Sequence, residues 1–245
     1  MSVLVVIPAR YDSTRFPGKP IAPLRGKPLI QHVYENAKGS TLADDVIVAT
    51  DSETIFERVI SFGGKAVMTS REHASGTDRV AEVARSMDCD IIVNVQGDEP
   101  LIRPEMIDDA IDILSDSRAD IGTLVKRIEE QGEITDPNIA KVVFNRDNFA
   151  LYFSRAPIPY HRDGWKGPGQ FTAFKHIGIY SYRRGVLLRL TDMKPSRLEE
   201  IERLEQLRAL ENNFRIKVKE TSLETIGVDT PLDLERVERW LSLSS

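Results

Sequence analysis

Cysteine is nearly absent from the 245-residue chain, which carries only Cys89, so neither a disulfide framework nor a cysteine metal centre can be built from it. Cys89 follows Asp88 and precedes an apolar run, and it reads as a small buried apolar side chain. No stretch approaches the roughly 20 apolar residues of a bilayer span, so membrane insertion is not expected. The opening Met1-Ser2-Val3-Leu4-Val5-Val6-Ile7 has no basic start and no small-residue cleavage site of a secretion signal, and the expected location is the cytoplasm. An excess of positive charge is missing too. With 33 Lys and Arg against 38 Asp and Glu, and no interleaving of aromatic and basic residues, no nucleic-acid surface is expected. A local cluster of cations can still hold a small polyanion.

What is present is the profile of an ordinary globular chain, 41% hydrophobic and 29% charged, long enough to bury a full core. Val3 to Ile7 is β-rich and unalternating, as a strand buried on both faces should be. Pro28 then opens a helix whose apolar positions Leu29, Ile30, Val33 and Ala37 run to Gly39. The rhythm repeats with strands at Val46 to Ala49, Lys65 to Met68, Ile91 to Val95 and Ile121 to Val125. Helices are expected near residues 52–62, 77–87 and 104–114. Such alternation predicts an α/β fold with a mostly parallel sheet and helices on both faces.

After residue 126 the rhythm breaks. Lys141 to Phe144 and Phe149 to Phe153 read as a hairpin across Asn145-Arg146-Asp147-Asn148, adding a smaller antiparallel portion. Ala156 to Gly169 holds three prolines and three glycines and is expected to be a surface loop. His176 to Tyr182 reads as a strand, Leu198 to Leu210 as one amphipathic helix, Phe214 to Val218 as a strand and Pro231 to Leu241 as a terminal helix. One domain is expected over residues 1–245, in portions of about 1–126, 127–226 and 227–245, the last carrying Asp229 and the C-terminal helix.

Four segments can carry chemistry. The first strand ends in Ile7-Pro8-Ala9-Arg10 and continues through Ser13-Thr14-Arg15-Phe16-Pro17-Gly18-Lys19-Pro20, so three cations lie at a strand's carboxyl end, where open α/β sheets bind ligands. Arg forks, a lysine point charge and accessible backbone amides suit a polyphosphate, although a solvated loop with incidental charges would look the same. It is not a Walker A loop, since no Gly-Lys-Ser/Thr opens the following helix. Ser75-Gly76-Thr77-Asp78-Arg79 sits at a helix start and could contact a nucleotide, with Thr77 and Asp78 serving equally well as caps. In Gln96-Gly97-Asp98-Glu99-Pro100, Asp98 is the strongest metal candidate, or else a turn residue. In Gly227-Val228-Asp229-Thr230-Pro231, Thr230 suits the cap; Asp229 would complete a two-carboxylate magnesium site if it met Asp98, which spacing alone does not show.

These blocks, together with Asn94-Val95 before Gln96, Tyr152-Phe153-Ser154-Arg155 and Leu204-Glu205-Gln206-Leu207-Arg208, closely resemble the 3-deoxy-manno-octulosonate cytidylyltransferases, the CMP-Kdo synthetases. The likeness follows the family's order over almost the whole chain. It implies a Rossmann-like nucleotidyltransferase, dimeric and magnesium-dependent, that activates the eight-carbon acid sugar Kdo with CTP for lipopolysaccharide assembly, giving CMP-Kdo and pyrophosphate. Carried onto this sequence, Arg10, Arg15 and Lys19 would grip the CTP phosphates, Asp98 and Asp229 would hold Mg2+, and Arg10, Arg15, Lys19 and Asp98 would be the catalytic set. Pro8, Ala9, Ser75, Gly76, Thr77 and Arg79 would help to seat the nucleotide. Gln96, Arg155, His176, Tyr180 and Glu205 would bind the sugar, with Arg155 facing its carboxylate. Taken without the resemblance, His176 reads as a core histidine, Tyr180 as packing and Glu205 as a residue on a solvated helix face. Pro159 to Phe171, with Trp165 and Gly167-Pro168-Gly169, has no evident counterpart in the family. A related acid sugar such as 8-amino-Kdo would need only a small change in contacts. Other readings are a CMP-sialate synthetase, an NTP-sugar pyrophosphorylase, or a non-catalytic nucleotide-binding protein of the same fold.

Overall fold

All seven residues of Val3–Ala9 are buried, and this unalternating run forms strand β1. The computed structural model of the protein describes residues 1–12, 15–164 and 172–243. Ser13, Thr14 and the 165–171 part of the breaker-rich loop, including Trp165 and Gly167-Pro168-Gly169, lie outside the described residues. The chain divides into two units, Met1–Asp108 with Glu224–Ser245, and Asp109–Leu223.

In the first unit, β1 is followed by a minimal hairpin, β2 (Pro23–Leu24) and β3 (Lys27–Pro28), turned at Arg25 and Gly26, both at positive φ. Helix α1 (Leu29–Lys38) buries Leu29, Ile30, Val33, Tyr34 and Ala37 along one stripe. It stops at Gly39, where a Cβ would lie 2.8 Å from Pro104 Cγ. Then come β4 (Asp45–Thr50), α2 (Glu53–Ser61), β5 (Ala66–Met68), α3 (Gly76–Ser86), β6 (Ile91–Asn94) and α4 (Pro104–Asp112). The sheet of this unit runs β6-β1-β4-β5 with every pairing parallel, so the ends of β1 and β6 lie side by side. Ser75 is the cap of α3: its Oγ accepts from Asp78 N at 3.2 Å while Asp78 Oδ2 accepts from Ser75 N at 3.1 Å. Asp78, one of the two expected caps, thus takes part.

The second unit holds β7 (Ile121–Arg127), α5 (Gln131–Thr135), β8 (Lys141–Phe144), β9 (Ala150–Ser154), β10 (Phe174–Arg183), α6 (Arg184–Thr191), α7 (Arg197–Glu202), α8 (Gln206–Glu211) and β11 (Ile216–Glu220). Here β7 is parallel to β11 and antiparallel to β10, and the β8–β9 hairpin packs its first strand on β10. The hairpin turns where expected, with Asn145 N donating to Phe149 O at 2.9 Å and Asn148 at φ +64°. Both units together are mostly parallel α/β with a smaller antiparallel portion.

One expectation is corrected. The apolar period from Leu198 to Leu210 is carried by two short helices, because Arg203 adopts a left-handed conformation at φ +55° and ends α7. Its backbone N–H turns back to Glu199 O. The carbonyls of Glu202 and Arg203 instead accept from the Arg155 guanidinium at 2.8 and 3.3 Å, so a tertiary contact takes the place of the next helical turn. The chain re-enters the first unit at Glu224 and ends in α9 (Pro231–Leu243), capped by Thr230 and Asp233 in the expected place.

The core also contains an ion pair. Arg79 is completely buried, and its guanidinium donates to Asp51 Oδ2 at 2.6 Å and to Thr69 Oγ1. Removing one partner of a buried pair strands the other charge. Asp51→Ala should therefore cost about 3–5 kcal/mol in urea unfolding, whereas Arg118→Ala, which breaks a surface pair with Asp116, should barely move the midpoint. Equal effects of the two substitutions would contradict this assignment of the core.

Candidate functional site

Three segments meet at the carboxyl ends of the parallel strands in the first unit. They are the loop after β1, the loop after β6 and the returning segment before α9. Gly97 makes the first junction possible: a Cβ there would stand 2.7 Å from Pro8 O, so only glycine lets these loops touch. Val228 N donates to Asp98 O at 2.9 Å, which ties the returning segment to the β6 loop. The resulting cavity of about 290 Å3 is lined by Pro8, Ala9, Arg10, Lys19, Ser75, Gly76, Gln96 and Asp98, among others.

Lys19 is the hub. Its Nζ lies 2.6 Å from Asp98 Oδ2 and 3.4 Å from Asp229 Oδ1, and its side chain is only 11% exposed. Arg15 Nη1 reaches the other oxygen of Asp229 at 3.1 Å. Asp98 and Asp229 therefore do face a common point, which spacing in the sequence could not show. Arg10 lines the same cavity and donates through Nη2 to His73 O. Ser75, Gly76 and Thr77 form the first turn of α3 and its cap, with Gly76 backbone against Pro8, where a Cβ would stand 3.4 Å from the ring. Arg79 lies one turn further on, fully buried, with its terminal nitrogens donating to Asp51, Thr69 and Ser70 O and its Nε left without a hydrogen-bond partner.

Sequence reasoning overlooked Glu99. Burial, reinforced by the charges of Asp98 and Asp229, pushes its carboxyl up to about 8, so it holds a proton at neutral pH. It hydrogen-bonds Thr225, lies against Gly227, and keeps Oε2 buried without a hydrogen-bond partner. The available signal was its place directly after Asp98 in a loop that the returning segment covers. Among the described residues no three His, Cys, Asp or Glu side chains converge on a metal-sized point. Two partly exposed carboxylates sharing one cation are nonetheless a donor set that fits Mg2+, which takes one or two carboxylates and fills its octahedron with water and phosphate oxygens.

Of the expected sugar ligands, Gln96 belongs to the first unit, where its Nε2 donates to Asn94 Oδ1 at 3.2 Å. Arg155, His176, Tyr180 and Glu205 belong to the second. There the rings of His176 and Tyr180 lie 5.1 Å apart, and Tyr182 stacks on Tyr180 at 5.8 Å. Burial raises the Tyr180 hydroxyl far above its usual range, and the nearby charge of Glu205 adds to this, so these three residues share one locale. Burial lowers His176 to about 4, and its Nε2 sits 2.9 Å from Thr123 Oγ1. Arg155 spends Nε on Glu202 O, Nη1 on Pro137 O and Nη2 on Arg203 O, while Glu202 accepts from Arg155 N and Ser154 Oγ. Each terminal nitrogen uses one of its two hydrogens in these bonds.

A cationic loop and a carboxylate pair at the carboxyl ends of parallel strands suit the transfer of a nucleotidyl group from a polyphosphate. The comparisons agree. The model of the cytidylyltransferase family matches residues 4–220. A 3-deoxy-manno-octulosonate cytidylyltransferase of Geobacter metallireducens is 53% identical over 250 residues, covering 99% of this chain and 98% of its own. That of Geotalea daltonii is 54% identical over 245 residues, 97% of each chain. The solved structure of a CMP:2-keto-3-deoxy-manno-octonic acid synthetase complexed with CTP superposes with a TM-score of 0.94 at 42% identity, over the full length of both chains. The chain belongs to the cytidylyltransferase family and, within it, to the 3-deoxy-manno-octulosonate cytidylyltransferases.

The lowered His176 has a consequence for stability. Its folded value of about 4 lies below the ordinary value near 6.5, so between these limits the unfolded chain binds a proton that the folded chain refuses. Stability is lost as pH falls through that window, by about 2 kcal/mol at pH 5 from this group alone. Urea unfolding of wild type and His176→Asn at pH 7 and pH 5 should show a smaller loss in the variant. Parallel losses would mean that His176 is not held neutral.

Proposed function

We propose that the protein transfers the cytidylyl group of CTP to Kdo, giving CMP-Kdo and pyrophosphate for lipopolysaccharide assembly. The observation that carries this reading is the Lys19-bridged pair of Asp98 and Asp229 beside the Arg10–Lys19 loop, in a chain 42% identical to a CMP-Kdo synthetase solved with CTP. The anomeric oxygen of the sugar attacks the α-phosphorus, the bond from that phosphorus to the oxygen bridging the β-phosphate breaks, and the hydroxyl proton is released. A hindered anomeric hydroxyl is a poor nucleophile, so alignment and charge neutralisation dominate over a strong side-chain base.

Arg10, Arg15 and Lys19 grip the phosphates and offset the charge on departing pyrophosphate. Asp98 and Asp229 hold Mg2+, which when bound polarises the phosphate oxygens. Glu99, as an uncharged acid, keeps the returning segment packed without adding a third negative charge at that point. Pro8, Ala9, Ser75, Gly76 and Thr77 seat the nucleotide, and Arg79 anchors the helix they begin. Gln96, His176, Tyr180 and Glu205 bind sugar hydroxyls, and Arg155 offers its remaining N–H groups to the carboxylate while fixing the α7–α8 break. Family membership supports a homodimer. Its place of work is the cytoplasm; no described helix is long and apolar enough to cross a membrane.

Pyrophosphate release with Mg2+ and CTP, offering Kdo, 8-amino-Kdo and sialic acid in turn and ATP, GTP and UTP as controls, tests the reading. Release with CTP and Kdo alone is expected; preference for the amino sugar would change the acceptor and keep the chemistry, and no release with any acid sugar would overturn the proposal. Asp98→Ala and Asp229→Ala should each lower magnesium-dependent turnover by at least about a hundredfold in a folded protein. Near-normal activity of either would remove the carboxylate pair from the mechanism.

A further inference from the structure

Thr123 lies fully buried in β7, outside the set of residues given a role above. Opposite it, β10 bulges: Leu124 pairs with Ile177 but its neighbour Thr123 pairs with Tyr180, so Gly178 and Ile179 are extra. The Thr123 hydroxyl fills this interruption, with Oγ1 2.7 Å from Ile179 O and 3.3 Å from Ile177 O. The same oxygen is 2.9 Å from His176 Nε2.

A hydroxyl has one hydrogen. The carbonyl of Ile179 is an acceptor only, and at 2.7 Å two oxygens without a shared proton would repel, so the Thr123 hydrogen points there. Nε2 of His176 must then be the donor. The ring is neutral, because burial holds it at about 4, so its single N–H is the one on Nε2 and Nδ1 carries a lone pair. Among the described residues no hydrogen bond reaches Nδ1.

We propose that Thr123 is a positioning residue that fixes His176 as the Nε2–H tautomer, leaving Nδ1 to accept a hydrogen bond from a hydroxyl of the acid sugar. This rests on the sugar-binding role of His176 given above. A tautomer fixed in advance selects for a donor at that position of the sugar and rejects an analogue lacking it, since the acceptor would then go unpaired.

The test combines nitrogen NMR with kinetics. In the protein labelled with 15N-histidine, His176→Asn assigns the signal among the four histidines of the chain. At pH 7 wild-type His176 should show a pyrrole-like Nε2 and a pyridine-like Nδ1. Thr123→Val should mix the tautomers and raise KM for Kdo about tenfold, the size of one lost hydrogen bond, with KM for CTP unchanged. Thr123→Ser should restore both readouts. A protonated Nδ1 in the wild type overturns the proposal, as does a folded Thr123→Val with wild-type spectrum and KM, or a folded Thr123→Ser that restores neither. If Thr123→Val does not fold, the wild-type spectrum and the serine variant still decide. Absence of turnover with Kdo in the wild type would count against cytidylyl transfer, whereas the tautomer pattern judges Thr123 separately.

Discussion

Asp98 and Asp229 repel each other, and the first unit tolerates them side by side because Lys19 Nζ stands between them. These residues lie 79 and 210 positions from Lys19 along the chain, so one ammonium fastens the loop after β1 to the loop after β6 and to the segment that returns from the second unit. Parallel pairing sets this up, since it brings the ends of β1 and β6 to one edge. Gly97 allows the backbones to approach, and Glu99 packs beneath the returning segment against Gly227. Because Glu99 keeps its proton, the cluster carries two negative charges in place of three. A polyphosphate with its cation can enter such a cluster by exchanging partners with Lys19 and Arg15.

The second unit follows a different electrostatic principle. Burial keeps His176 neutral and moves the hydroxyls of Tyr180 and Tyr182 still further from ionisation, so they offer directional hydrogen bonds in place of charge. The bulge in β10 spaces His176 and Tyr180, and the Thr123 hydroxyl donates its one hydrogen to the carbonyl of Ile179 within the bulge. A polyhydroxylated sugar is matched by such a surface better than by ionic contacts alone.

The strand and helix rhythm was legible up to residue 126 because elements such as β1, α1, β4 and β6 each bury an apolar run with its own local period. The hairpin at Asn145 was legible through its turn residues. The α7–α8 break was not, because the signal is a long-range contact: Arg155 claims the carbonyls of Glu202 and Arg203, and no local pattern in Leu198 to Leu210 announces it. The cations of the first loop and Asp98 could be singled out from residue type and strand position. Their meeting with Asp229 could not, since it depends on where a segment over a hundred residues away re-enters the fold. Arg79 shows the same limit in reverse: its type suits a phosphate, yet Asp51 holds it in the core. Glu99 escaped notice because a buried proton on a carboxyl depends on neighbours that only the folded chain supplies.

The central claim is that Asp98 and Asp229 act as one cation site that a nucleotide completes. Electron paramagnetic resonance of Mn2+ measures this without turnover, by titrating the ion into the protein with and without CTP. The account predicts that CTP tightens Mn2+ binding to the wild type and that Asp98→Asn and Asp229→Asn each lose that gain. Mn2+ held equally tightly by both variants in the presence of CTP would contradict it.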